Sequence, residues 1–255
     1  MKGNLTIDNG NTSVKVALYF GTQLVATNRF VRRDARLLER FISTYKPETA
    51  IVCSTAATAA TQRISQLAEN RCSRVIHLTH ETPMPITLGY STPHTLGRDR
   101  IATAVGAWCI SRRLDSVSDV LVIDAGTAIT YDLVTADACF HGGNIAPGLS
   151  LRFKALHEHT GQLPLVQPDG DIPLVGYDTT TAIRSGVILG LLGEIRNYIS
   201  DLKRTHPNLM VFITGGDGKR LHQLLGDESI IYYEHLAAEG LNRIFLYNNV
   251  SNEKN

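Results

Sequence analysis

Leu5 and Ile7 flank the polar Thr6, and apolar positions resume at Val14, Ala17 and Leu18 after the interruption Asp8-Asn9-Gly10-Asn11-Thr12. These two apolar stretches read as two strands. Asn-Gly accepts the positive φ of a short turn, so the stretch predicts a hairpin. Gln23 to Val31 reads as a third strand. Leu37, Leu38, Phe41, Ile42 and Tyr45 then share one helical face, and Pro47 lies just past its end. Ala50 to Cys53 and Val75 to Leu78 are short apolar runs that read as buried strands. A helix from Ala57 to Asn70, with Ile64 and Leu67 inward, separates them. The order β-β-β-α-β-α-β is a mixed α/β layout.

From Thr79 to Leu96 the periodicity stops. Pro83, Pro85 and Pro93, with Gly89 and Tyr90 between them, predict an irregular loop. A helix follows Gly97-Arg98-Asp99-Arg100, with Ile101, Ala104, Val105, Trp108 and Cys109 inward. Val120 to Ile123 is then an apolar strand that runs into Asp124, Gly126 and Thr127 before a second strand. The strand–Asp-x-Gly–strand unit thus occurs twice, about half a chain apart. This implies two related domains, 1-115 and 116-255, each offering an acidic, glycine-lined turn to a shared cleft. Cys139 to Ile145 continues the second sheet, and a helix runs from about Leu149 to His157. Pro164 to Asp178 reads as a surface loop. Thr179 to Leu202 reads as one long helix with Ala182, Ile183, Gly186, Val187, Gly190 and Leu191 inward, its glycines admitting a closely packed element such as a partner helix. A strand from Leu209 to Ile213 enters Thr214-Gly215-Gly216-Asp217-Gly218, a suitable place for a nucleotide. A strand from Ile230 to Tyr233 and a helix from Leu236 to Tyr247 close the pattern.

Composition narrows the classes. With 43% hydrophobic and 19% charged residues, the 255-residue chain can fill a substantial core. Its 25 basic and 24 acidic residues form no basic arm or stripe, which argues against nucleic acid as a partner. Cys53, Cys72, Cys109 and Cys139 form no Cys-x-x-Cys pair and read as buried thiols of a reducing compartment. There is no signal-peptide pattern and no apolar run near the ~20 residues that a membrane span needs, so a cytoplasmic protein without membrane association is expected.

Two places offer chemistry. The first hairpin sets the Asp8 carboxylate beside a turn poor in bulky side chains, with Asn11, Thr12 and Lys15 nearby. Such a turn can wrap a phosphate while the carboxylate holds a hydrated divalent cation. Asp-Asn-Gly alone is an ordinary turn; its counterpart at Asp124 gives it weight. The second place is Gly97-Arg98-Asp99-Arg100, a carboxylate between two guanidiniums at a loop-to-helix junction. It is either a helix cap with surface arginines or a general base with anion-binding neighbours. His157 and His159 lack a third metal ligand at suitable spacing. No Gly-x-x-x-x-Gly-Lys-Ser/Thr loop and no Gly-x-Gly-x-x-Gly helix start occurs, so phosphate binding falls to the Asp-x-Gly hairpins.

These residues, taken in order, resemble the type III pantothenate kinases of the acetate and sugar kinase, Hsp70 and actin superfamily. The matching stretches are Asp8 to Thr12 with Lys15, Gly97 to Arg100, Asp124 to Ala128 with Thr130, and Gly142-Gly143 through Pro147-Gly148. Further on, Ala155-Leu156, Thr160 to Pro164, Thr179 with Ala182-Ile183 and Ser185-Gly186, and Thr214 to Asp217 also match. The resemblance implies an α/β fold of two ribonuclease-H-like (actin-like) domains, mixed sheets flanked by helices around an interdomain cleft. It implies transfer of the γ-phosphoryl group of ATP to pantothenate, the first step of coenzyme A synthesis. Asp8, Asn9, Gly10, Asn11, Thr12, Ser13, Val14 and Lys15 would take ATP and Mg²⁺, with Thr127. Asp124 would help hold a monovalent cation, K⁺ or NH₄⁺. Asp99 would be the base, and Tyr90, Gly97, Arg98, Asp99 and Arg100 would line the pantothenate site. Thr179 would reach pantothenate from the other subunit of a homodimer. Here Asp178 stands where the family often has Asn, and Thr181 is an alternative hydroxyl. A nucleotide-binding regulator on the same scaffold, or a kinase for another small hydroxylated acid or sugar, are the competing readings.

Overall fold

The structure is a computed structural model that describes residues 3–10, 13–31, 35–54, 59–114 and 118–252. Contacts group the chain into two compact units. One comprises Met1–Ser116, Val134–His141 and His235–Asn255; the other comprises Val117–Leu133 and Gly142–Glu234. A hairpin tip, Val134–His141, and the C-terminal segment His235–Asn255 join the first unit.

In the first unit, β1 (Gly3–Asn9), β2 (Ser13–Phe20), β3 (Gln23–Val31), β4 (Thr49–Ser54) and β5 (Arg74–His77) form a sheet in the order β3-β2-β1-β4-β5. The hairpin strands β1, β2 and β3 are antiparallel, while β1, β4 and β5 are parallel. β1 is central and buried along its whole length. Helices α1 (Ala35–Tyr45) and α2 (Ala59–Glu69) supply the connections. Leu5, Ile7, Leu38, Phe41, Ile42, Val52 and Ile64 share one core cluster. Leu37 and Tyr45, expected on the inner face of α1, are exposed, because the face that packs is narrower than the apolar stripe. The proline-rich stretch contains a two-residue strand, β6 (Thr87–Leu88), and a single 3₁₀ turn before α3 (Arg98–Leu114). On α3, Trp108 and Cys109 are half-buried rather than fully inward.

In the second unit, β7 (Val120–Ala125) continues through a two-residue turn into β8 (Ala128–Val134), and β9 (Cys139–Pro147) follows. Helices α4 (Leu149–Glu158) and α5 (Thr179–Thr205) lead to β10 (Met210–Thr214), then α6 (Gly218–Leu225) and β11 (Ile230–Tyr232). The sheet has six strands in the order β6-β9-β8-β7-β10-β11; its stretch β9-β8-β7-β10-β11 repeats the order of the first sheet, and β7, β10 and β11 are parallel. Ile123, Ile129, Phe153, Ile188, Leu191, Ile195 and Ile213 form its core. Buried positions on α5 include Ile183, Val187, Ile188 and Leu191, whereas Ala182, Gly186 and Gly190, expected inward, are exposed. Among the described residues, a Cβ at either glycine would meet nothing within 4 Å, so no described element uses that close approach.

The last helix, α7 (Leu236–Asn252), packs on α3 in the first unit. The two helices approach until a Cβ at Gly106 would overlap the Leu236 carbonyl and one at Gly240 the Ala102 carbonyl. Buried Asn4 and Asn242 join side chains at 2.8 Å and fix α7 to β1. The tip of the β8–β9 hairpin, Val134–His141, also belongs to this unit, where β6 pairs in parallel with Cys139 and Phe140.

Candidate active site

Asp8 and Asp124 occupy equivalent positions, each the penultimate residue of the first strand of its unit. In the first unit, Asp8 lies opposite Lys15 on one neighbouring strand and Cys53 on the other. The Lys15 Nζ stands 3.7 Å from Asp8 Oδ2. The turn that follows is closed by Gly10 N–H donating to the Ser13 carbonyl at 3.1 Å. Asn11 and Thr12, expected at this turn, lie outside the described residues. Asn9 is fully buried and its amide donates to Ser54 Oγ at 3.4 Å.

Asp8 is only 8% exposed, and that burial raises its pKa; the Lys15 charge opposes the shift and the Asp99 charge adds to it. Cys53 feels the same fields. Burial first, then Asp8 and Asp99, push its thiol well above the usual range, which keeps it protonated and unreactive. Asp99 is therefore electrostatically coupled to Asp8. It sits in the first turn of α3, where the helix dipole favours a carboxylate, and Asp99 Oδ1 accepts the Arg100 N–H at 2.9 Å. It is an in-helix residue, since the chain enters the helix at Gly97, whose carbonyl accepts Ile101 N–H. Arg98 is exposed and donates to the Ser54 carbonyl at 3.3 Å, tying α3 to the end of β4. Arg100 is buried, and its guanidinium lies over the ring of Tyr90. Asp8, Lys15, Asp99, Arg98, Arg100 and Tyr90 are all carried by the first unit.

In the second unit, the tip Gly126–Thr127 is closed by Gly126 N–H donating to the Ala128 carbonyl at 3.0 Å. Two further backbone segments lace onto it. Gly148 N–H donates to the Thr127 carbonyl at 3.0 Å, and Asp217 N–H donates to the Ala125 carbonyl at 2.9 Å. Gly215 adopts φ +95°, and a Cβ there would stand 2.5 Å from Asp124 Oδ1. Only glycine permits both that backbone and that distance. Asp124 is half-buried and Thr127 exposed.

Thr179 is exposed at the first position of α5. Thr181 is buried and committed to the helix cap. Its Oγ1 accepts the Tyr177 and Asp178 N–H groups at 3.1 Å and donates to Asp178 Oδ1 at 2.8 Å, while its own N–H donates to Asp178. Asp178 thus has a role in a capping box.

Among the described residues, no group of three or more His, Cys, Asp or Glu side chains could hold a metal ion. Mg²⁺ needs no such cage, since it binds through one or two carboxylates together with substrate phosphates and water. Asp8 fits that use: it is a buried carboxylate whose charge the fold disfavours and a cation would restore. Among the described residues, no helix is long and apolar enough to cross a membrane.

A sequence profile described as Type III pantothenate kinase matches residues 4–201. The chain belongs to the type III pantothenate kinase family. A type III pantothenate kinase of Phocaeicola vulgatus is 43% identical over 247 residues, covering 96% of this chain and 98% of its own. That of Porphyromonas gingivalis is 38% identical over 251 residues, covering 97% and 100%. Solved structures show the same fold at low identity. A chain from Campylobacter jejuni described as a candidate Baf family transcriptional activator aligns with TM-score 0.63 and 20% identity over 96% of this chain and 99% of that one. An inorganic polyphosphate/ATP-glucomannokinase from Arthrobacter aligns with TM-score 0.52 and 14% identity over 96% and 99%. The family's mixed α/β fold is therefore that of the actin-like ATPases and sugar kinases. The sequence motifs included Gly148 and Asp217 without showing that their N–H groups brace the Thr127 tip, and sequence reasoning missed Phe140, beside Arg100.

Proposed function

We propose that this chain phosphorylates pantothenate with ATP, the reaction of its family and the first step of coenzyme A synthesis, with Asp99 as the general base. The observation that carries the assignment of Asp99 is its place in one electrostatic cluster with Asp8, Lys15 and Arg98. Asp99 takes the proton of the pantothenate primary hydroxyl. That oxygen bonds to the γ-phosphorus as the bond from phosphorus to the departing ADP oxygen breaks. Phosphoryl transfer asks mainly for positioning and charge neutralisation. The turn from Asp8 to Lys15 holds the phosphates, with Lys15 as a fixed cation, and Thr127 contacts ATP. Mg²⁺, when bound at Asp8, supplies charge neutralisation of the phosphates. Asp124 helps hold the monovalent cation.

Arg98 and Arg100 bind the pantothenate carboxylate, with Gly97 and Tyr90 lining the same site. Thr179, its hydroxyl not taken by the cap, contacts pantothenate of the second subunit of a homodimer. Support for a dimer comes from Leu174, Val175 and Tyr177, which are 88%, 80% and 70% exposed immediately before Thr179, and from the open Gly186 and Gly190 face of α5. The protein works in the cytoplasm.

An assay coupling ADP release to acceptor identity, with K⁺ present and absent, tests the proposal. Turnover with pantothenate that depends on K⁺ supports it. ATP binding without turnover favours a regulator, and turnover with a sugar alone favours another kinase.

A further inference from the structure

We propose that Phe140 is a positioning residue that aims Arg100 at the acceptor, an inference that rests on the pantothenate reading above. Phe140 comes from the tip of the β8–β9 hairpin, a segment distant in sequence from Tyr90 and Arg100, yet all three meet within the first unit. The Arg100 guanidinium carbon lies 5.8 Å from the Tyr90 ring centroid and 5.9 Å from that of Phe140. The two rings are 6.2 Å apart and meet edge to face at 60°. The guanidinium therefore occupies the notch of a T-shaped aromatic pair, held by the negative faces of two rings. Phe140 is fully buried and Arg100 6% exposed, so the attraction acts away from bulk water, where it is strongest.

The backbone fixes this notch. Thr87 N–H donates to the Ala138 carbonyl at 2.8 Å and Gly89 N–H to the Phe140 carbonyl at 2.9 Å. These bonds register Tyr90, the next residue, against the ring of Phe140. A side chain at position 89 would collide, since its Cβ would stand 2.8 Å from Cys139 Sγ and 3.2 Å from the Phe140 carbonyl. A long arginine has many rotamers. Pinning its planar end before the acceptor arrives removes the ordering cost from binding.

The test is steady-state kinetics of the full-length protein carrying Phe140→Leu or Phe140→Tyr. Replacing the ring in Phe140→Leu is expected to raise KM for pantothenate roughly tenfold while kcat and KM for ATP stay within about twofold. Phe140→Tyr, which keeps the ring, is expected to restore KM. Combining Phe140→Leu with Arg100→Lys separates positioning from packing: if Phe140 acts through Arg100, the second change costs far less in the Lys background. Additive costs, or a fall in kcat with KM for pantothenate unchanged, overturn the proposal. Should Phe140→Leu fail to fold, Phe140→Met fills the space with a flexible apolar side chain and carries the same expectation. Absence of pantothenate turnover by the unmodified protein overturns the functional reading itself, and this inference with it. An active protein whose Phe140→Leu kinetics are unchanged overturns this inference alone.

Discussion

At the scale of single residues, Asp8 is under opposing demands. Its buried carboxylate has a raised folded-state pKa. The stability an acid of this kind lends is complete below the unfolded carboxylate range and is lost as pH rises through the raised folded value. Asp8→Asn, uncharged at every pH, is expected to be more stable than wild type at neutral pH without nucleotide, by a margin that vanishes in acid. Denaturant midpoints measured across pH check this. The same variant should lose kinase activity, because it cannot hold a cation. The acidic turn itself was legible in the sequence, since Asp-x-Gly between apolar strands occurs twice. Burial and coupling to Asp99 were not, because they depend on α3 packing beside β4. Likewise, the sequence offers both Thr179 and Thr181, and the engagement of the Thr181 hydroxyl in the helix cap is visible only in the structure.

Glycines show at the scale of elements how one residue type serves different ends. Gly240 on α7 touches the Ala102 carbonyl of α3, so Gly240→Ala should force the helices apart and cost about 1–3 kcal/mol. Gly193 on α5 is exposed with nothing within 4 Å of a Cβ, so Gly193→Ala should stabilise the helix by about 1 kcal/mol. Thermal or urea unfolding of the two variants should shift in opposite directions. Strands with clean alternation or apolar runs, such as β3 from Gln23 to Val31, were readable within a residue or so. α6 was not anticipated, although Leu221, Leu224 and Leu225 with Gly226 at φ +62° form a short amphipathic helix and its stop. The preceding glycines dominated that stretch. β6 was hidden for a different reason: two residues among prolines carry no period, and their partners Cys139 and Phe140 lie 52 residues away in sequence.

Over the whole molecule, the duplicated sheet order was foreshadowed by the repeated strand–Asp-x-Gly–strand pattern. The membership of the compact units was not, because α7 finds its partner α3 through glycines that local periodicity cannot pair. If Thr179 serves the other subunit's acceptor, Thr179→Ala and Asp99→Asn proteins, each expected to be impaired alone, should regain activity when mixed under conditions that exchange subunits. Failure of mixing to restore turnover would place Thr179 and Asp99 in the same chain's site. The central claim is the proton-accepting role of Asp99, and the most direct measurement is kcat of Asp99→Asn with pantothenate alongside its affinity for ATP. The account predicts a loss of about 10²–10⁴-fold in kcat with ATP binding and oligomeric state preserved; near-normal turnover by that variant would contradict it.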